Sequence, residues 1–148
     1  MHLLSIVTLT IAAAAVLATQ AAVSRDMSEA DAKEAIVLNC HYQMGEFGVE
    51  AVQRCIEREN AAFAALSRYP ERDKSIVSRC AQNAQVDGWE TAKSCADRDI
   101  EANAALAHYP DADAALIEQC RVERKGRGPA EVRACVDQGI AARAAKER

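Results

Sequence analysis

The sequence predicts an all-α fold of three tandem αα-hairpins, each 40 residues long, stacked as a short right-handed solenoid. The first observation behind this prediction is a 40-residue period in the six cysteines, which are Cys40, Cys55, Cys80, Cys95, Cys120 and Cys135. Prolines and glycines recur in the same frame, at the positions where helices are expected to begin. Apolar or small residues spaced by three, four and seven positions then give the second helix of each block one buried face.

The repeat divides the chain into three blocks that align without gaps. Block 1 is residues 31–70, block 2 is residues 71–110 and block 3 is residues 111–148. Block 3 keeps the cysteines and Gly128, but it has Lys146 where the other two blocks have leucine. A polar residue at that position is typical of a terminal repeat, whose outer face is not covered by another repeat.

Each block is expected to contain two helices, called helix A and helix B. Helix A of blocks 2 and 3 is predicted to begin at Pro70 and Pro110, because proline at the first helical position loses no hydrogen bond. Block 1 begins differently, with Ser28 as the expected N-cap and Asp31 three residues further on. Helix B is predicted to begin after the glycine that recurs in each block, at Gly48, Gly88 and Gly128.

The segment ahead of the repeats predicts a secretory signal peptide over residues 1–21. It is apolar from Leu3 to Leu17, small residues lead to a cleavage site near Ala21, and the first charged side chain is Arg25. An uncleaved membrane anchor is the alternative, but an alanine-rich segment spans a membrane poorly. We therefore expect a secreted or periplasmic protein, with residues 22–30 as a linker and no stable membrane insertion after the signal is removed.

Helix geometry predicts which cysteines pair. Cys40 and Cys55 lie roughly 8 and 10 Å from the hairpin turn at 1.5 Å per residue, so they are almost level. Pairing Cys55 with Cys80 would join positions roughly 21 and 15 Å from their turn, which a bond with Cα atoms at most about 7 Å apart tolerates badly. We predict the pairs Cys40–Cys55, Cys80–Cys95 and Cys120–Cys135. Each closes a loop of about fifteen residues, for which chain entropy suggests a stabilisation of roughly 3 kcal/mol.

The repeats resemble the Sel1-like and tetratricopeptide-like families, above all the cysteine-rich bacterial Sel1-like proteins in which a disulfide joins each helical hairpin. The resemblance covers residues 31–148 and is carried by Gly48-Val49, Gly88-Trp89 and the alanine-rich runs at residues 64–69 and 104–109. The repeat is longer than in those families and its cysteines are farther apart, so no site residue is carried over. The resemblance implies a protein-binding scaffold.

Charge gives little indication of a nucleic-acid partner. The formal net charge is −4, and the two signs are interleaved along the helices. Only one stretch is locally basic, comprising Arg121, Arg124, Lys125 and Arg127. Proteins that bind phosphate backbones usually spread basic charge over a whole face. We therefore interpret this stretch as a solvated loop and expect no nucleic acid as partner.

A short charged run follows the second cysteine of blocks 1 and 2, as Glu57-Arg58-Glu59 and as Asp97-Arg98-Asp99. The simpler interpretation is a solvated helix face with local ion pairs. The functional one is a charged ladder that docks a peptide. Trp89, unique at its position among the three blocks, is either an exposed aromatic anchor or a residue packed against the neighbouring helix. The candidate partner-binding residues are Trp89, Glu57, Arg58, Asp97, Arg98 and Asp99.

No recurring residue is an obvious acid, base or nucleophile. His41 and His108 do not recur and are expected at the surface. The cysteine spacing lacks the C-x2-C element of a zinc site, so neither a metal nor a cofactor is expected. We expect an exported, monomeric, non-catalytic repeat protein that binds a protein or peptide. Two alternatives remain, a structural or stress-protective envelope protein and a hydrolase acting on a cell-wall or small-molecule substrate.

Overall fold

A computed structural model describes residues 28–148, which form helices joined by short turns, with no strand among them. The expected signal peptide, residues 1–21, lies outside the described residues. The described part of the chain contains seven α-helices: α1 Glu29–Met44, α2 Val49–Leu66, α3 Lys74–Ala81, α4 Ala84–Asp87, α5 Trp89–Leu106, α6 Ala114–Glu123 and α7 Pro129–Lys146. None of the helices between residues 28 and 148 is long and apolar enough to cross a membrane.

Helix α1 begins at the predicted cap. The Ser28 hydroxyl accepts a hydrogen bond from the Asp31 N–H at 3.1 Å and donates one to the Asp31 carboxylate at 2.7 Å. This exchange satisfies an N–H that has no partner within the helix. The expected linker over residues 22–30 was too long, because the cap places Glu29 and Ala30 within α1.

Helix A starts later than predicted in blocks 2 and 3. Pro70 and Pro110 each precede a 3-10 turn, at Glu71–Asp73 and Asp111–Asp113, before the α-helix begins. In both turns the aspartate N–H donates to the proline carbonyl at 2.9 Å, which is the tighter i to i+3 pattern common at helix ends.

The prediction of one helix A per block was wrong for block 2. There helix A divides into α3 and α4 at Gln82 and Asn83. Asn83 has φ −111° and ψ 12°, outside the helical region. Asparagine competes with the backbone for hydrogen bonds and so favours caps and turns over helix interiors.

The helices of each block pack together, and the B helices connect the blocks. In block 1, helix α1 packs against α2. In block 2, both α3 and α4 pack against α5, and in block 3 α6 packs against α7. Helix α5 also contacts both α2 and α7, so it lies between the other two B helices. The core includes many alanines, which allow close approach of helices: Ala32, Ala62, Ala84, Ala92, Ala96 and Ala102 are all buried.

Three disulfides tie helix A to helix B within each block. They join Cys40 to Cys55, Cys80 to Cys95, and Cys120 to Cys135, with Cα separations of 5.7, 5.7 and 5.8 Å. These are the pairs that the helix heights predict. All six cysteines are used, and Cys40, Cys55 and Cys120 are buried, whereas Cys80, Cys95 and Cys135 are only partly buried.

Candidate functional site

A tyrosine and an aspartate join each block to the next. The Tyr69 hydroxyl donates to the Asp97 carboxylate, and the Tyr109 hydroxyl donates to the Asp137 carboxylate. Both pairs span 28 residues, so the contact recurs with the period of the sequence. The Lys93 ammonium also donates to Asp97, at 2.6 Å. The recurring Tyr-Pro pair therefore connects consecutive blocks.

These contacts change the ionisation of the groups that make them. Burial, together with the hydrogen bond to Asp97, raises the pKa of Tyr69 to about 12. The hydrogen bond to Asp137, with burial, likewise raises the pKa of Tyr109. Burial alone would raise the pKa of Asp97, but the hydrogen bonds from Lys93 and Tyr69 outweigh it and lower that pKa. The neutral Tyr69 hydroxyl therefore faces an ionised Asp97 carboxylate.

A second contact between blocks comes from an acid on helix B, which is Glu59 in block 1 and Asp99 in block 2. Glu59 of α2 accepts a hydrogen bond from the Trp89 N–H at the start of α5. Asp99 of α5 accepts one from the Ala130 N–H at the start of α7, at 3.0 Å. A carboxylate there satisfies a free N–H and complements the positive end of the helix dipole. Block 3 has Gly139 at this position.

Asp99 is not a surface residue, so its predicted role in partner binding is wrong. It is 2 % exposed and ion-paired with the guanidinium of Arg79, whose side chain is 28 % exposed. Burying a carboxylate is costly unless it is paired and hydrogen-bonded. Arg79 and the Ala130 N–H supply both kinds of partner, so the acid serves the contact between blocks 2 and 3.

The prediction of Trp89 as an exposed anchor is also wrong. Trp89 is 6 % exposed, and its ring packs edge-on against Phe63 of α2, with the ring centroids 4.7 Å apart. Edge-to-face packing of aromatic rings is favourable beyond the area that it buries. The residue thus packs against the neighbouring helix, as the alternative interpretation proposed.

The other four predicted residues are exposed, and three of them have internal partners, since Glu57 accepts a hydrogen bond from Gln53 at 3.3 Å. Arg58 pairs with Glu90 of block 2 at 3.0 Å, and Asp97 is bonded to Tyr69 and Lys93. Glu57 and Arg98 also lie at the surface. The binding role of Glu57, Arg58, Asp97 and Arg98 stays a prediction.

The buried ion pair fits because Gly128 has no side chain. A Cβ atom there would lie 2.5 Å from an Asp99 oxygen and 2.7 Å from the guanidinium carbon of Arg79. The same residue has φ 112° and ψ 163°, a conformation that essentially only glycine adopts. Arg79 also donates to the carbonyl of Arg127 at 3.2 Å. The recurring glycine therefore admits the charged pair as well as starting helix B.

One group of potential metal ligands occurs at the same place. The Sγ atoms of Cys80 and Cys95 and a carboxylate oxygen of Asp99 lie within 4.8 Å of one another. However, both sulfurs form a disulfide and the carboxylate is paired with Arg79. Metal binding by cysteine needs a thiolate, so this group is not a ligand set in the oxidised protein.

Sequence reasoning missed three exposed apolar side chains on α1 and the turn that follows it, which together we call the outer-face patch. It consists of Leu38, Tyr42 and Phe47, which are 64 %, 90 % and 68 % exposed. Leu38 and Tyr42 lie one turn apart on α1, and Phe47 lies in the 3-10 turn that follows. At the same three positions block 2 has Ser78, Gln82 and Asp87. Comparing the blocks for differences as well as shared residues would have found the patch.

An open groove of 650 Å³ lies between α1 and α2. Val37 and Phe63 contribute its apolar lining, and Glu29 and Lys33 line it as an ion pair at 2.6 Å. Block 3 has Arg143 at the position of Phe63, and that arginine pairs with Asp113. Block 1 therefore has an apolar side chain in this groove, at Phe63, where block 3 has a charged one.

The chain matches no protein-family profile, no curated protein and no solved structure. The resemblance to Sel1-like proteins therefore stays a prediction.

Proposed function

We propose that this protein is an exported, non-catalytic helical-repeat protein that binds a protein partner through the outer-face patch. The observation that carries the proposal is the change from polar to apolar at three matched positions. Leu38, Tyr42 and Phe47 are exposed where block 2 has serine, glutamine and aspartate. Exposed apolar residues that cluster, with aromatic side chains among them, are typical of protein-binding surfaces.

The other conspicuous residues support this choice because they are already engaged within the chain. Trp89 packs on Phe63, and Asp99 caps α7. Of the large apolar side chains that are exposed among the described residues, block 1 carries Val37, Leu38, Tyr42, Phe47 and Val49, and the other blocks carry Val86 and Val122. The apolar exposure is therefore concentrated in one block.

The proposal includes the shape and the compartment of the protein. The three blocks act as hairpins stacked into a right-handed solenoid, which holds the patch on a rigid support. Packing of each helix A on its own helix B, and of α5 on both α2 and α7, supports this arrangement. The three disulfides support secretion or a periplasmic location, because such bonds persist in oxidising compartments.

The repeat itself supplies the test. A triple variant with Leu38→Ser, Tyr42→Gln and Phe47→Asp gives block 1 the residues that block 2 carries at the same positions, so it should fold normally. Immobilised wild-type protein is compared with this variant for capture of proteins from the native secreted or periplasmic fraction. We expect the triple variant to lose the proteins that wild type retains.

The matched control changes two exposed valines elsewhere, Val86→Ser and Val122→Gln, which are 76 % and 68 % exposed. This control should capture the same proteins as wild type. Equal capture by the triple variant and wild type would remove the outer-face patch from the proposal. Helical circular dichroism and reactivity of thiols before reduction verify that every variant is folded and oxidised.

A further inference from the structure

The contact between blocks 1 and 2 has two complementary halves. Block 1 supplies an outgoing half, which is Arg58, Glu59 and Tyr69. Block 2 supplies an incoming half, which is Trp89, Glu90 and Asp97. Arg58 pairs with Glu90 at 3.0 Å, Glu59 accepts from the Trp89 N–H, and Tyr69 donates to Asp97.

Block 1 has an incoming half of its own, 40 residues earlier in the sequence. Val49, Glu50 and Glu57 occupy the positions of Trp89, Glu90 and Asp97. Val49 is 78 % exposed, and the side chain of Glu50 is 87 % exposed. Their polar contacts lie within α2, where Glu50 pairs with Arg54 at 3.7 Å and Glu57 accepts from Gln53 at 3.3 Å. Within residues 28–148, no outgoing half is bound to these three residues.

Among residues 28–148 there is no spare outgoing half to fill this place. Those of blocks 1 and 2 are both engaged, as the bonds from Tyr69 and Tyr109 show. Block 3 has Gln138 and Gly139 where the others have arginine and an acid. Residues 1–27 contain no tyrosine. A second copy of the chain and its own N-terminal segment are therefore both poor candidates for the occupant.

We propose that the incoming half of block 1 receives a helix of a partner protein that carries an outgoing half. Such a partner segment has an arginine and an acid directly after it on the helix, and a tyrosine eleven residues after the arginine, just past the helix end, as in Arg58, Glu59 and Tyr69. The arginine pairs with Glu50, the acid accepts from the Val49 N–H, and the tyrosine donates to Glu57. This inference rests on the proposed function, since it specifies the partner of a protein-binding repeat.

Charge complementarity and continuity with the contacts between the blocks both favour this occupant. Glu50 and Glu57 are two acids on the exposed surface of α2, and the outgoing half offers a guanidinium and a hydroxyl to them. The same types of group already meet at the contact between blocks 1 and 2, so the partner helix would extend an existing arrangement. Hydrogen bonds to ionised groups are stronger than neutral ones.

The test uses a fluorescent peptide with the sequence of residues 49–70, in which Cys55→Ala prevents disulfide exchange. It is titrated with the intact, oxidised protein, and binding is followed by fluorescence anisotropy. We expect saturable binding that is at least tenfold weaker for a peptide with Arg58→Ala and Tyr69→Phe. A protein with Glu50→Gln and Glu57→Gln should show a similar loss for the unchanged peptide. A protein with Glu131→Gln, an exposed glutamate in α7, is the control and should bind as wild type does.

Three results would overturn the inference. The first is no binding, or binding that ignores the changes at Glu50 and Glu57. The second is peptide affinity that rises at least tenfold when residues 22–27 are removed, which would assign the place to the chain's own N-terminal segment. The third is a dimer in analytical ultracentrifugation that is lost on changing Glu50 and Glu57. If the peptide fails while capture through the outer-face patch persists, only this inference fails and the proposed function stands.

Discussion

Asp99 accepts a hydrogen bond from the Ala130 N–H at 3.0 Å, and so a buried carboxylate in block 2 holds the first turn of the last helix. The same carboxylate is paired with Arg79. One side chain therefore connects α3 and α5 of block 2 to α7 of block 3. This explains why the acid recurs after the second cysteine in blocks 1 and 2, without any need for a role at the surface.

Changing Asp99→Ala should lower the free energy of unfolding by about 2–4 kcal/mol, because it leaves the Arg79 guanidinium and a helix N–H without their partner. Partial exposure of Arg79 keeps the loss below that of a fully buried pair. Urea denaturation measures it. The control is Glu101→Gln, which weakens an exposed pair with Arg133 and should cost less than about 1 kcal/mol. Equal losses for the two variants would contradict the structural role of Asp99.

Changing Gly128→Ala should destabilise the protein more than Gly48→Ala. Both glycines have positive φ values, 112° and 90°, so both changes introduce backbone strain of about 1–3 kcal/mol. Only at Gly128 would the new methyl group also meet Asp99 and Arg79, whereas nothing lies within 4 Å of a Cβ at Gly48. We expect an additional loss of about 1–3 kcal/mol for Gly128→Ala, as for overpacking elsewhere. Thermal and urea unfolding under the same conditions measure the loss of stability in each variant. Equal losses in the two variants would contradict the close packing at Gly128.

Stability should fall at high pH through the tyrosines that join the blocks. The pKa of Tyr69 is raised from 10.0 to about 12 in the folded protein. The stabilisation that this shift represents is complete below pH 10 and is lost as the pH rises through about 12. We expect Tyr69→Phe to reduce the dependence of unfolding free energy on pH between those values. The control is Tyr42→Phe, at a ring that is 90 % exposed and outside both contacts between blocks. An unchanged pH profile in Tyr69→Phe would show that the bond to Asp97 does not form in solution.

Removing one disulfide should cost about 3 kcal/mol, because each bond closes a loop of the same length and limits the unfolded chain similarly. The double variant Cys80→Ala with Cys95→Ala is compared with Cys120→Ala with Cys135→Ala by urea denaturation. Since the separation is 15 residues in both pairs, the two losses should agree within about 1 kcal/mol. A loss near zero for either pair would mean that the bond is not needed to hold its two helices together.

The N-terminal segment and the bonding state can be tested together by intact mass. Thiols of the protein recovered from its native compartment are alkylated before and after reduction. We expect a mass lower by about 21 residues, as for a cleaved signal peptide, and no reaction of thiols until reduction. Free thiols before reduction would contradict the three disulfides, and an intact N-terminus would contradict the predicted cleavage.

Much of the local structure could be predicted from particular residues. Ser28 marks the start of α1, Gly48 and Gly88 mark the starts of the B helices, and the cysteine spacing indicates which pairs lie level. These features depend on backbone conformation and on distance along a helix, both of which a local stretch of sequence determines. The division of helix A at Asn83 was missed because one asparagine within a helical pattern is a weak local signal.

The roles of the charged and aromatic residues could not be predicted in the same way. The same residue type can lie exposed at the surface or buried in a contact between blocks. Sequence alone determined the helical class, the period of 40 residues and the cysteine pairs. Only the tertiary structure decided that Trp89 and Asp99 are buried and that Leu38, Tyr42 and Phe47 are exposed. The physical reason is that burial depends on which helix of another block lies opposite, and that contact is made between residues about 30 positions apart, as in Glu59 with Trp89.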